Sequence, residues 1–240
     1  MALCAVVPLK GLAAAKGRLA PLLTPAEREA LAAALLADVL RALRATPAVT
    51  RVLVVSPDPA ALALAASLGA EPLAEPPALV AALPGSAADE AGLNAALDHA
   101  ARVAAAGGAE ALLALPADLP HVTPADLAAL CAALPKAPSV VLAPTADGGT
   151  GALLRQPPPV VPARFGPDSL RGHLQVAAAR GVAARLVWRR GLSFDVDRPT
   201  DLDRLADLPR PSRTRALLAR WQAAGRWPPV VALAPGQSHR

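Results

Sequence analysis

The sequence predicts an α/β protein built on an open, mostly parallel sheet with helices on both faces. Three observations carry that prediction. Short apolar runs fit for buried parallel strands recur along the first two-thirds of the chain. Ala- and Leu-rich segments with helical character alternate with them. Two of these segments open on a Thr-Pro pair followed by an acid, Thr24-Pro25-Ala26-Glu27 and Thr123-Pro124-Ala125-Asp126. There the threonine can cap, the proline suits the first helical position and the acid can close a capping box. Strict alternation of strand and helix argues for a parallel sheet covered on both sides.

In order, Leu3–Pro8 reads as the first strand, and a loop rich in Lys and Gly follows from Leu9 to Leu23. A helix runs from Thr24 to about Ala45, then a strand over Arg51–Ser56, a helix over Pro57–Leu68 and a weaker strand over Ala70–Leu73. Residues 74–89 are rich in Pro and Ala and read as a loop. Glu90–Ala106 reads as a helix, Glu110–Leu115 as a buried strand, the segment from Thr123 to about Leu134 as a helix, and Ser139–Ala143 as a strand. The alternation then loosens through a Gly-rich stretch (Pro144–Gly151) and a Pro-rich one (Gln156–Pro162). A helix over Ser169–Arg180, a strand over Ala184–Trp188 and a capped helix over Pro199–Leu208 complete the body, 1–208. Residues 209–240 read as an appended basic extension, with one amphipathic helix over Arg213–Ala224.

Composition removes several function classes. At 240 residues and 54% hydrophobic the chain can bury a full core as one α/β domain. Its only aromatics are Phe165, Phe194, Trp188, Trp221 and Trp227, too few for single-stranded nucleic acid to be read by base stacking. The net charge of +5 resides in the extension, which holds six arginines and no acid, so the body is close to neutral. A duplex-binding domain would carry its basic patch on the folded body, and no nucleic-acid partner is expected. Cys4 and Cys131 lack any CxxC or His-rich spacing and read as free thiols. No signal-peptide pattern and no unbroken apolar stretch of about 20 residues is present, so a cytoplasmic protein without a membrane partner is expected.

In an open parallel sheet, ligands bind beyond the carboxyl ends of the strands. The loop after the first strand carries Lys10, Gly11, Lys16, Gly17 and Arg18 without an acid. It suits a polyphosphate, or it is a solvated loop; it is neither a GxGxxG nor a GxxxxGK[ST] motif. Asp118, in Pro116-Ala117-Asp118-Leu119-Pro120, is placed either to ligate Mg²⁺ or to cap a turn. His121 beside it reads as a surface or hydrogen-bonded residue. The segment Thr145–Gly151, with three glycines and two threonines, can present amides and hydroxyls to an anion or merely connect. Phe165-Gly166-Pro167-Asp168-Ser169 leads into a helix, where Asp168 or Ser169 caps or an anion sits. Asp195 and Asp197, spaced i and i+2, would point to one face of an extended segment, as a metal pair or as one ligand beside one cap.

Six segments in order make the chain resemble the 2-phospholactate or phosphoenolpyruvate guanylyltransferases of coenzyme F-420 biosynthesis. They are PLKGLAAAKGRLAPLL from Pro8, GLNAAL over Gly92–Leu97, PADLP over Pro116–Pro120, DGGTGALL over Asp147–Leu154, FGPDS over Phe165–Ser169 and FDVDRPTDL over Phe194–Leu202. The match runs from Leu3 to Leu208. The resemblance implies a nucleotide-diphosphate-sugar transferase-like fold and transfer of GMP from GTP to a small phosphorylated carboxylic acid. It implies that Lys10, Gly11, Lys16 and Arg18 hold the GTP phosphates and that a turn at Gly92–Asn94 approaches the guanosine. It further implies that Asp118 with Asp195 or Asp197 holds Mg²⁺, and that Thr150, Gly166 and Ser169 hold the phosphorylated acid. Pro116 departs from a DxD pattern, so the second carboxylate must come from the 195–197 pair.

This chemistry needs no general base, because the acceptor phosphate is already anionic; the barrier is repulsion between anions and charge on the leaving pyrophosphate. The competing expectations are a transferase of the same fold acting on a sugar phosphate or a pterin, and a non-catalytic nucleotide-binding domain. Phosphoenolpyruvate, 2-phospholactate and 3-phosphoglycerate are all compatible acceptors, phosphoenolpyruvate being favoured. A homodimer is compatible with the sequence, which assigns no role to the extension.

Overall fold

The computed structural model describes residues 1–12, 15–76, 86–208 and 211–226. Seven strands form one sheet: β1 (Leu3–Pro8), β2 (Val49–Ser56), β3 (Glu71–Ala74), β4 (Ala111–Ala114), β5 (Ser139–Pro144), β6 (Thr150–Gln156) and β7 (Ala183–Leu186). Their spatial order is β3-β2-β1-β4-β6-β5-β7. All pairings are parallel except those of β6, which runs against both β4 and β5. The helices are α1 (Pro25–Arg44), α2 (Pro59–Ser67), α3 (Ser86–Ala106), α4 (Pro124–Ala132), α5 (Ser169–Ala179) and α6 (Arg213–Ala223). No helix among the described residues is long and apolar enough to cross a membrane.

Side chains alternate across the central strands, so each contributes to two cores. Leu3, Ala5 and Val7 of β1 join Leu36, Leu40 and Leu43 of α1, Ala65 of α2 and Leu127 and Leu130 of α4 on one side. Cys4 and Val6 join Leu97, Ala100 and Ala104 of α3 and Ala177 of α5 on the other. Burial of both faces is why β1 reads as an unbroken apolar run. The expected sheet, with helices on both faces, is the one found. Both Thr-Pro starts form capping boxes, Thr24 with Glu27 and Thr123 with Asp126.

Two elements differ from expectation. β6 lies largely between the expected Gly-rich stretch (Pro144–Gly151) and the Pro-rich one (Gln156–Pro162), where no strand was expected, because its apolar run is short and ends in a charge. That charge, Arg155, is fully buried, and its guanidinium bonds Asp98 at 2.9 Å, the Val161 carbonyl at 3.1 Å and the Leu97 carbonyl at 3.2 Å. The expected helix over Pro199–Leu208 is instead a 3-10 helix over Pro199–Asp207, whose start is tied by Asp201 accepting from the backbone of Asp197 and Arg198. α3 begins at Ser86 rather than Glu90; of the expected 74–89 loop, residues 77–85 lie outside the described residues, as do Trp227 and the end of the extension. Cys4 is buried and Cys131 half-buried, both free.

The described part of the extension packs on α1. Leu217 and Leu218 join Leu31, Leu35, Leu202 and Leu205 in a third apolar cluster. Asp38, buried within α1, accepts from Ser212 Oγ at 2.7 Å, Arg213 N at 2.8 Å and Thr214 N at 2.9 Å. It thereby satisfies the free amides at the start of α6 from across the structure. Asp38→Ala should cost about 2 kcal/mol of stability, the upper end of a lost helix cap. A lowered Tm together with faster tryptic cleavage within residues 213–220 is the expected outcome; unchanged cleavage there would show that α6 does not depend on Asp38.

Candidate active site

A pocket of about 500 Å³ lies beyond the carboxyl ends of β1, β2, β3 and β4. Its floor and rim come from Pro8–Gly11, Pro57, Glu75 and the turn Ala114–Asp118. Ala32 and Leu35 of α1, Leu93 and Leu97 of α3, and Phe165 supply apolar walls. This is where the sheet's topology leaves an opening, since neighbouring crossover helices diverge from the strand ends.

The loop after β1 brings cations to this opening. Lys10, Gly11 and Lys16 line the pocket. The loop is pinned by Asp58, which caps α2 through Ala60 N and accepts from Leu12 N at 3.0 Å. Lys16 adopts a left-handed backbone conformation (φ 57°), rarely used by residues other than glycine and a form of local strain that concentrates at functional sites. Its ammonium, almost wholly buried, contacts Asp118 at 2.6 Å. Arg18, on the solvent side, pairs with Asp197.

Of the three aspartates predicted as metal ligands, Asp118 lines the pocket, while Asp195 and Asp197 lie on the neighbouring segment outside its lining. The backbone N–H of Val196 donates to the Asp118 carbonyl at 3.3 Å, which lays the 195–197 segment beside the turn after β4. Val196 points into the core, so Asp195 and Asp197 share the outward side, as their spacing predicts. Asp195 presents an exposed edge, yet crowding around its carboxyl, followed by the charge of Asp118, pushes its pKa up to about 6. Among the described residues no group of three or more His, Cys, Asp or Glu is arranged to hold a metal ion. His121 is hydrogen-bonded to the Arg204 carbonyl and lies against Phe194.

A second cluster sits beyond β6. Ser169 Oγ donates to Thr150 Oγ1 at 3.1 Å, and Ser169 N donates to the Gly166 carbonyl at 3.2 Å, so the three residues predicted for the phosphorylated acid do come together. Asp168 stands at the N-cap of α5 in a left-handed conformation but makes no side-chain cap, leaving the first amides of α5 without a carboxylate partner. His173, buried one turn into α5, reaches Thr150 Oγ1 with Nδ1 at 3.1 Å and accepts from Arg164 N at Nε2 at 2.9 Å. Burial is the first cause that pushes its pKa down to about 4.

The chain matches the family described as "Guanylyl transferase CofC like" over residues 3–207. It belongs to that family. A phosphoenolpyruvate guanylyltransferase of Rubrobacter xylanophilus is 46% identical over 206 residues, covering 85% of this chain and 94% of that one. A 3-phospho-D-glycerate guanylyltransferase of Phenylobacterium zucineum is 37% identical over 227 residues, covering 91% and 98%. Among solved structures, a protein described as a nucleotide-diphospho-sugar transferase from Desulfovibrio desulfuricans superposes with a TM-score of 0.72 at 20% identity, over 93% of this chain and 96% of that one. That likeness establishes the fold, a nucleotide-diphosphate-sugar transferase one.

Within this guanylyl transferase one sequence-based expectation needs correction. Gly92–Asn94 is not a turn but the interior of α3. Gly92 does line the pocket, but Asn94 spends both ends of its amide on Phe165, donating to its carbonyl at 2.9 Å and accepting from its N–H at 2.7 Å. Sequence reading also passed over Glu75, Asp58 and His173. Glu75 follows the weak third strand, whose carboxyl end was available as a signal; it faces Lys10, and partial burial pushes its pKa up. Asp58 precedes Pro59, a readable cap. His173 carried no signal beyond lying four residues after Ser169.

The depressed pKa of His173 makes stability pH-dependent in a defined direction. The unfolded chain takes up a proton below about 6.5, which the folded chain refuses until about pH 4. The stabilisation is therefore complete above pH 6.5 and is lost as pH falls toward 4. Asp195, with its raised pKa, acts oppositely but equally in any His173 variant. Thermal melts of wild type and His173→Gln from pH 7 to 4.5 should converge on acidification, by up to about 1.4 kcal/mol per pH unit. Parallel curves would show that His173 titrates normally.

Proposed function

We propose that the chain transfers GMP from GTP to the phosphate of phosphoenolpyruvate, or of a close phosphorylated acid, in coenzyme F-420 biosynthesis. One acceptor phosphate oxygen attacks the α-phosphorus of GTP; the bond between the α-phosphorus and the bridging oxygen breaks, and pyrophosphate leaves with its electrons. The carrying observation is that Lys10, Lys16 and Asp118 line one pocket, with Lys16 paired to Asp118 and Arg18 paired to Asp197 beside it. Family membership and the phosphoenolpyruvate guanylyltransferase relatives support the same reading.

In this reading Lys10, Gly11, Lys16 and Arg18 draw the triphosphate into the loop and offset its charge, and Gly92 lets the nucleoside approach α3. Thr150, Gly166 and Ser169 take the acceptor. Asp118, with Asp195 or Asp197, fits a Mg²⁺ site. One or two carboxylates plus substrate phosphates are this ion's usual ligands, so a complete protein cage is not required. The crowding that raises the Asp195 pKa is what a divalent charge would relieve. When bound, Mg²⁺ supplies positive charge against the phosphates and the leaving pyrophosphate. Lys16 and Arg18, already on Asp118 and Asp197, are positioned to exchange carboxylate for phosphate as substrate enters. A cytoplasmic enzyme is part of the reading.

Pyrophosphate release from GTP, scored with phosphoenolpyruvate, 2-phospholactate and 3-phosphoglycerate and by mass of the product, tests the assignment. GTP with phosphoenolpyruvate should give the highest kcat/KM; a higher value for ATP or CTP with every acceptor would overturn it. Asp118→Asn should keep the fold, by circular dichroism, and lose roughly a hundredfold in kcat, because an amide lacks the charge the metal needs. Full activity of that variant at limiting Mg²⁺ would remove Asp118 from the site.

A further inference from the structure

The segment 161–165 has no regular secondary structure, yet side chains hold its backbone almost residue by residue. Arg155 donates to the Val161 carbonyl, Ala163 N donates to Asp98 at 2.9 Å, Arg164 N donates to His173, and Asn94 clasps both polar groups of Phe165. Of these side chains, His173 also touches the hydroxyl pair Thr150–Ser169. We propose that His173 is a positioning residue for the phosphorylated-acid site: its two ring nitrogens lock the 161–165 wall to the Thr150 hydroxyl and set the direction in which that hydroxyl donates. This rests on the reading that Thr150 and Ser169 bind the acceptor.

The bonding leaves little freedom. Arg164 N–H can only donate, so Nε2 must accept and the proton of the neutral ring resides on Nδ1. Nδ1–H therefore donates to Thr150 Oγ1, shared with the Ser169 backbone carbonyl one turn back on α5, and Thr150 Oγ1 also receives the Ser169 hydroxyl. Both acceptor positions of Thr150 are then filled by neighbours on α5, and its own hydrogen is left to donate to a third group. An incoming phosphate or carboxylate oxygen is such a group and requires no reorganisation of the hydroxyl, the condition for electrostatic preorganisation. His173 is 1% exposed and sits edge-on to Phe165, with ring centroids 5.1 Å apart, so packing holds the ring in place. Phe165 in turn lines the nucleotide pocket, which puts the two substrate sites on adjoining residues of one clamped segment.

Two amide variants separate the two nitrogens. In His173→Asn the side-chain amide can stand in for Nδ1–H and serve Thr150; in His173→Gln it can stand in for Nε2 and serve Arg164 N–H. The full chain is assayed with saturating Mg²⁺, KM is measured separately for GTP and phosphoenolpyruvate, and folding is checked by thermal melts. His173→Gln should raise the KM for phosphoenolpyruvate about tenfold, the scale of one lost hydrogen bond, and leave the KM for GTP unchanged. His173→Asn should keep the phosphoenolpyruvate KM within about threefold of wild type. Thr150→Val should match the Gln variant, and the double variant should be no worse than Thr150→Val alone, since both remove one interaction. Lower Tm with both KM values intact would make His173 merely structural and overturn the proposal. An Asn variant as impaired as the Gln variant would place the effect on the Arg164 tether and overturn it likewise. If Thr150→Val leaves the phosphoenolpyruvate KM unchanged, the acceptor assignment itself falls, an outcome distinct from failure of the His173 variants alone.

Discussion

Arg155 carries a positive charge in the middle of the sheet with no exposed surface, and such a charge is tolerable only when paired and hydrogen-bonded. Its partners come from three places: the side chain of Asp98, and the carbonyls of Leu97 and Val161. Pairing the two terminal nitrogens of one buried guanidinium, whose Nε keeps no partner among the described residues, thus fixes β6 against α3 and fixes where the chain goes after β6. The same Asp98 oxygen takes the amide of Ala163, so the bond that neutralises the charge also begins the clamped segment leading to Phe165 and Gly166.

The two halves of the site rest on different backbone logic. The pocket is made by parallel strands, whose carboxyl ends open onto loops that present Lys10, Lys16, Glu75 and Asp118. The Thr150–Ser169 cluster is made by the one strand that runs the other way, so its amino end, at Thr150, faces the same side of the sheet as those carboxyl ends. Reversal of β6 is what puts a hydroxyl, rather than the far end of a strand, near the pocket. The close approach of Gly151 to the Leu192 carbonyl, which a Cβ would strike at 1.6 Å, fixes that strand end against the segment leading to Asp195.

Local chemistry explains what was legible in the sequence. β1, the Thr24 and Thr123 caps and the outward pairing of Asp195 with Asp197 could be read because each depends on residues adjacent in sequence. β6 could not: its burial of Arg155 depends on Asp98, 57 residues away. Asn94 was assigned to a turn because its partner, Phe165, is 71 residues distant and nothing local reports that pairing. Lys16 and Arg18 were read as phosphate ligands, but their pairing with Asp118 and Asp197 is a product of the fold. The grouping of Thr150, Gly166 and Ser169 came from family resemblance, and His173, which bonds Thr150 and the Arg164 amide, left no mark in spacing.

The family match ends at residue 207, five residues before Ser212 begins the approach to Asp38. A gene trimmed to that boundary would strip Leu217 and Leu218 from the outer side of α1 and leave a buried carboxylate facing water with its donors gone. α1 also forms a wall of the pocket beyond the strand ends, through Ala32 and Leu35. Such a shortened protein would meet its first difficulty in the test tube as a sticky surface, and poor solubility would be mistaken for a catalytic defect.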